Sequence, residues 1–186
     1  MTLKEMKTKV LGLIEELNPD STLLTDDPDI ATKINDVINQ VMFELIRMKK
    51  LPAYVEIEVN EGDLITFDDI EKKGKYAVYQ LGTVGGIEFE LKAQGTIIKV
   101  LESGIAEIDY FKYPEAITSK TKDSYEFELS QDVLELMPYG VAGDLLKSDI
   151  SSDYGAIYSN RYEMMLQRLD PRYTTGMFTI DSGVGV

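Results

Sequence analysis

The run YPEAITSKTKDSYEFELSQDVLELMPYGVAGDLLKSDISSDYGAIYSNRYEMMLQRL, from Tyr113 to Leu169, sets the architecture. It consists of a Tyr-Pro stop, a short polar strand and two amphipathic helices, and it leads into a glycine-dotted tail. Ser130 is placed to cap the first helix. Behind it Val133, Leu134, Met137, Val141, Leu145 and Leu146 recur at helical spacing, with Asp132, Glu135, Asp144 and Lys147 off the stripe. Pro138 falls inside that stripe and predicts either a kink or a short leading turn with Pro138 opening the main helix. Asp149 to Asp153 offer capping side chains for a second helix, striped by Tyr154, Ile157, Tyr158, Tyr162, Met165 and Leu169 and ended by Pro171. A connection of roughly five residues predicts an antiparallel hairpin whose stripes face each other.

Working outward, the N-terminal part carries two more helices. Thr2-x-x-Glu5 is a capping box, and Leu3, Met6, Val10, Leu13, Ile14 and Leu17 form a narrow stripe ended by Asn18-Pro19. The second starts at Pro28 and carries Ile30, Ile34, Val37, Ile38, Val41, Met42, Leu45 and Ile46, with Pro52 marking its limit. About six turns, roughly 30 Å at 1.5 Å per residue, are predicted. So wide a stripe needs cover, and the C-terminal helix pair is the available partner.

Between the helical parts the period changes to two. Tyr54–Val59, a turn at Asn60–Asp63, a short return at Leu64–Phe67, then Tyr76–Leu81, Ile87–Leu91, Thr96–Leu101 and Ile105–Lys112 are the candidate strands. Ala93-Gln94-Gly95 and Glu102-Ser103-Gly104 sit where hairpins should turn. Gly82-Thr83-Val84-Gly85-Gly86 is also expected as a hairpin loop, since it matches neither a P-loop nor a dinucleotide fingerprint. In Ile87-Glu88-Phe89-Glu90-Leu91 apolar residues alternate with charge, as in a sheet buried on one face. The predicted class is α+β: a bundle of about four helices from residues 1–52 and 113–170, a small antiparallel sheet or open barrel inserted at 53–112, and an extended tail at 171–186.

The Tyr113–Leu169 run resembles the C-terminal half of head–tail connector proteins, the neck adaptors of tailed bacteriophages. The likeness rests on Tyr113-Pro114 after the last strand, the lead-in strand Phe127-Glu128-Leu129, and the helix-pair pattern Leu136-Met137-Pro138, Val141-Ala142, Leu145-Leu146 and Asp149. The N-terminal helices fit the same plan, and the sheet is the least recognisable part. This resemblance implies a structural role in the virion neck, with assembly in the host cytoplasm. It implies a homo-oligomeric ring, commonly of twelve copies in that family, between the portal protein and a tail-side stopper or tail-completion protein, through which DNA passes.

Composition restricts the chemistry. The 186 residues, 44% of them hydrophobic, suffice for one good-sized domain or a helical body with an inserted sheet. No run approaches the roughly 18 apolar residues of a membrane span, and Met1-Thr2-Leu3-Lys4-Glu5 lacks an apolar signal core, so a soluble, unexported chain with no membrane partner is expected. With no Cys and no His, thiolate nucleophiles, imidazole bases, Ser-His-Asp triads and the usual zinc sets drop out. No catalytic residue, metal ligand or cofactor is assigned, and a non-enzymatic protein is expected.

The acidic clusters have structural readings. Asp27 suits an N-cap, Pro28 the first helical position and Asp29 the helix dipole, while Asp26-Asp27-Pro28-Asp29 lacks the alternation of a calcium loop. Asp68-Asp69 reads as a turn. Lys72-Lys73-Gly74-Lys75-Tyr76 reads as a solvated turn or a charged guard on a sheet edge. The net charge of −14 should repel a polyanion, so DNA is expected only in transient, non-specific proximity, with an acidic bore that offers it little purchase. An acidic module for a cation or a carbohydrate, a carboxylate-dependent enzyme and another structural protein of a phage tail are the alternatives.

Interface candidates follow from side-chain type. Tyr139, Tyr154, Tyr158, Tyr162 and Tyr173 offer contact area plus a hydroxyl, although ordinary core packing suits the first four equally. Thr175 to Ile180, with Met177, Phe178 and Ile180, has strand-like apolar character suited to adding onto a neighbouring subunit or a portal ring.

Overall fold

The computed structural model describes residues 1–17, 24–147 and 153–169. Helix α1 (Leu3–Leu13) starts as its capping box requires: the Thr2 hydroxyl accepts from the Glu5 amide (3.2 Å) and the Glu5 carboxylate accepts from the Thr2 amide (2.8 Å). The bond from the Thr2 backbone holds the Glu5 carboxyl below its ordinary pKa. The helix stops at Leu13, ahead of the expected Asn18-Pro19 boundary, because Glu15 turns into the left-handed region (φ 62°) and the Glu16 amide reaches back to the Leu11 carbonyl at 2.9 Å. Asn18 and Pro19 lie outside the described residues.

Helix α2 (Pro28–Leu45) begins where predicted, with Asp27 Oδ1 accepting from the amides of Asp29 (2.8 Å) and Ile30 (3.2 Å). Its 18 residues make about five turns, one fewer than expected. Pro52 does not mark the end of the helix; it sits in the following strand opposite Phe111.

Helix α4 (Gln131–Leu146) is one continuous element with Pro138 buried inside it, so Pro138 does not open a separate helix. Ser130 occupies the cap position but makes no capping bond; the Val133 amide donates instead to Asp132 Oδ1 at 3.1 Å. Helix α4 packs on α1, α2 and α5 (Tyr154–Leu169), and Leu3, Met6, Ile38, Met42, Leu136 and Met137 are fully buried among them. The predicted cover for the α2 stripe is therefore present. Asp149 to Ser152, expected to cap α5, and Pro171, expected to end it, lie outside the described residues.

Small residues set the α4–α5 contact. A Cβ added at Gly140 would come within 2.8 Å of the Tyr162 ring, one at Gly143 within 2.6 Å of Ser159 Oγ, and one at Gly155 within 3.2 Å of Leu146 Cβ. Contacts that advance along α4 as they retreat along α5 identify the expected antiparallel hairpin.

The segment from Tyr113 to Ser130 wraps this body. A strand was expected at Phe127–Leu129, but only the bridge Thr2↔Glu126 forms. The segment is held instead by the Leu3 amide on the Tyr125 carbonyl (2.8 Å), the Phe127 amide on the Met1 carbonyl (3.2 Å) and the burial of Ile117, Phe127 and Leu129. Asn39 on α2 clamps it from the side, its Nδ2 donating to the Ile117 carbonyl (2.8 Å) and its Oδ1 accepting from the Ile117 amide (2.7 Å).

The inserted β part forms two three-stranded antiparallel sheets in place of a single sheet or open barrel. Strands β1 (Leu51–Val59), β6 (Gly104–Lys112) and β3 (Val78–Gly85) make the first, in the order β1-β6-β3; β2 (Leu64–Thr66), β5 (Ile97–Val100) and β4 (Phe89–Lys92) make the second, in the order β2-β5-β4. The turn at Asn60–Asp63 does not close a β1–β2 hairpin: β1 pairs with β6 and β2 with β5. The same register runs through both ladders, from Leu51↔Lys112 to Thr66↔Ile97, with the Val100 amide on the Asp63 carbonyl (2.9 Å) across the break. Glu102-Ser103-Gly104 likewise leads from one sheet to the other without pairing β5 to β6. Of the predicted hairpin turns, Ala93–Gly95 is found, as a short 3₁₀ turn between β4 and β5.

Gly82 to Gly85 belong to β3 and do not form a loop. Bulges interrupt its register against β6, and a side chain at Gly82 would strike the Asp109 carbonyl. The turn follows at Gly86, where φ is +78°. Asp68-Asp69 and Lys72-Lys73-Gly74, expected as turns, form helix α3 (Phe67–Gly74), capped at Thr66 by the Asp69 carboxylate and closed by Lys75 at φ 66°. Ile70 anchors it in a second core with Val55, Ile65, Ile98, Val100, Ile108 and Tyr110.

Polar and aromatic groups join the two cores. Lys112 is buried, its Nζ 2.5 Å from Glu128 Oε2 and 3.5 Å from the centre of the Tyr76 ring. Tyr113 packs edge-on against both Phe43 and Tyr79. Among the described residues no helix is long and apolar enough to cross a membrane.

Candidate functional site

The described tyrosine candidates gather where α5 meets α4 and α1, and their fates differ. Tyr162 is only 8% exposed, packed against Gly140. Burial, with the Glu44 carboxylate adding to it, pushes its hydroxyl far above the ordinary tyrosine range, so this ring is core and not contact surface. Tyr158 is half-buried and donates to the Leu13 carbonyl at 2.6 Å, tying α5 to the end of α1; burial raises its pKa too. Tyr139 is half-buried beneath the Arg161 guanidinium, 4.6 Å from its ring centre. Tyr154, 57% exposed and stacked on Tyr158, faces solvent. Tyr173, Met177, Phe178 and Ile180 lie outside the described residues.

The outward side of α5 was not legible as a unit. Ile157 and Met164, at 54% and 58% exposure, share it with Arg161 and Arg168. At 3.6 residues per turn these four side chains fall within about 60° of arc, and Glu163 projects roughly 100° away. Gly155, Ser159 and Tyr162 turn the other side inward, so Tyr154 and Ile157, read as core positions, are rotated out. Beside Arg161 a shallow groove of about 450 Å³ opens between α1, α4 and α5, lined by Lys9, Leu13, Glu135, Tyr139 and Met165.

The solvent face of the first sheet has the opposite sign. The β1–β6 register sets Tyr54 opposite Asp109, Glu56 opposite Glu107 and Glu58 opposite Ile105. All six point outward by the burial alternation, with Tyr54 at 52% and Ile105 at 54% exposure. Directly opposed like charges weaken a sheet, so the Glu56/Glu107 pair is unfavourable for folding alone. The Tyr54 hydroxyl donates to Glu56 Oε1 at 2.8 Å; that bond, together with the nearby Glu56, Glu107 and Asp109 charges, pushes its pKa up to about 12. None of the four carboxylates has an ion-pair partner among the described residues.

A cleft of about 330 Å³ between the end of α1 and the start of α2 contains Glu15, Glu16, Asp27, Asp29 and Lys33. Asp27 is committed to capping α2 and Asp29 pairs with Lys33 at 3.6 Å, in line with the structural reading of these acids. Among the described residues no three acidic side chains converge closely enough to hold a metal ion. Comparison of the chain with protein-family models and with curated proteins finds no match.

Proposed function

We propose that this chain is a non-enzymatic structural protein of a phage neck, similar to the head–tail connector adaptors. It assembles into a ring between the portal protein and a tail-side stopper or tail-completion protein, and DNA passes through. The observation that carries this reading is the outward side of α5. With Tyr154, Ile157 and Met164 all more than half exposed, this helix has an apolar surface of the kind that suits contact with a second protein. The arrangement of helices around an inserted β part supports the same reading, because it follows the plan on which the resemblance rests. The acidic balance suits a passage for DNA, since a wall with few basic groups neutralises few phosphates and holds the duplex weakly.

Light scattering on the purified protein, alone and mixed with a portal protein, tests this. The expected result is a ring-sized species or a stable complex with the portal. A particle of single-chain mass that binds neither itself nor the portal would overturn the reading, and heat released on titration with calcium or a glycan would favour an acidic binding module instead.

A further inference from the structure

Two uncovered surfaces of this chain are complementary in both charge and greasiness. The α5 strip carries two guanidinium groups between exposed apolar side chains, on a molecule with a net charge of −14. Arg161 rests on the Tyr139 ring and Arg168 has no carboxylate partner among the described residues. The β1–β6 face carries four carboxylates flanking exposed Tyr54 and Ile105. Its internal repulsion at Glu56/Glu107 is relieved when a cation arrives from outside. Thr83 and Gly85 on β3 bring no cation to this face, and the Lys50 ammonium is engaged by Gln80 (2.7 Å) and the Phe111 ring.

We propose that the α5 strip of Ile157, Arg161, Met164 and Arg168 docks on the sheet face around Glu56 and Glu107 of a second copy of this chain. This rests on the reading of the protein as self-assembling and names the surfaces that assemble. In the head-to-tail form of this contact each copy uses one face toward each neighbour, and the series closes into a ring or continues as a filament. A twofold contact of strip on strip, or of sheet on sheet, would instead bring like charges together.

Sedimentation over a concentration series reaching the millimolar range tests it with two charge-reversed proteins, Arg161→Glu with Arg168→Glu, and Glu56→Lys with Glu107→Lys. All four sites are on the surface, and circular dichroism confirms folding; Met164→Asp and Ile105→Lys serve as second variants of each face. The wild type should self-associate, less so at high salt. The first reversed protein presents acid on both faces, and the second sets two lysines at the centre of the sheet face against the α5 guanidinium groups, so each should associate at least about a hundredfold more weakly. An equimolar mixture of the two should recover association, because the native α5 of one then meets the native sheet of the other, and the acidic α5 meets the sheet that carries the two lysines.

Reversed proteins that associate like the wild type, or a mixture that stays apart, would overturn this contact while leaving the ring reading intact. A wild type that stays monomeric throughout would also overturn it, and the portal mixture then decides the ring reading separately. If only a chain lacking 172–186 associates, the strip is covered by the chain's own end and the proposal fails.

Discussion

Asn39 does with one side chain what a strand does with its backbone. Its amide matches the Ile117 carbonyl and N–H at 2.8 and 2.7 Å, so two backbone groups of a segment without regular structure are satisfied from α2. Nothing local in the sequence marks this, because the partners are far apart in the chain and an Asn inside a helical run reads as a solvated position. Asn39→Ala leaves both backbone groups without that partner and should lower stability by about 1–3 kcal/mol. Urea unfolding followed by circular dichroism measures the loss. Asn39→Asp should recover part of it at most, since a carboxylate accepts from the Ile117 amide but cannot donate to its carbonyl.

At the scale of elements, the helices were readable because their signals are local. The Thr2/Glu5 box and the Asp27-Pro28 start appear as predicted, while the α5 stripe was drawn too wide: Tyr158, Tyr162, Met165 and Leu169 pack on the core, and Tyr154 and Ile157 do not. Counting apolar residues gave weight to Tyr154 and Ile157, whereas Gly140, Gly143 and Gly155 decide which sides approach. Gly143→Val tests this: its Cβ would meet the Ser159 backbone nitrogen at 3.1 Å as well as its hydroxyl, so the helices must separate, at a cost of about 1–3 kcal/mol. Gly12→Ala is the control, because nothing lies within 4 Å of the added methyl, and in a helix it should stabilise by up to about 1 kcal/mol. Equal effects of the two in thermal melts would refute close packing at Gly143. The sheets were less legible for a different reason. Strand positions follow from a period of two, but the partner of each strand does not, so the acidic face emerges only from the β1–β6 register. Helix α3 was missed although Thr66-x-x-Asp69 is a usable start signal, because its charged residues and Gly74 matched a turn as readily.

For the whole molecule, titration separates the acid and alkaline limits. Asp69, whose carboxyl is lowered chiefly by the Thr66 hydroxyl, and Asp132, lowered chiefly by Ser130 and Lys49, contribute stability that is present above the ordinary carboxylate pKa and lost as pH falls through their lowered values. The alkaline limit has the opposite sign. Tyr54 is raised to about 12 by its bond to Glu56, and Tyr110, Tyr125, Tyr158 and Tyr162 are raised by burial, against an ordinary value of 10.0. Above that value the unfolded chain has released protons that the folded chain still holds, so stability must fall as pH rises. We expect no tyrosine-linked change in the urea midpoint from neutral pH to just below 10.0, then a decline accompanied by tyrosinate absorbance appearing with unfolding. Glu56→Gln should bring the titration of Tyr54 back toward 10.0 without touching the buried rings, since it removes a charged acceptor at the surface. Tyrosinate signal that develops fully in the folded protein near 10.0, with the urea midpoint unmoved, would contradict the burial of Tyr110 and Tyr162 on which both cores depend.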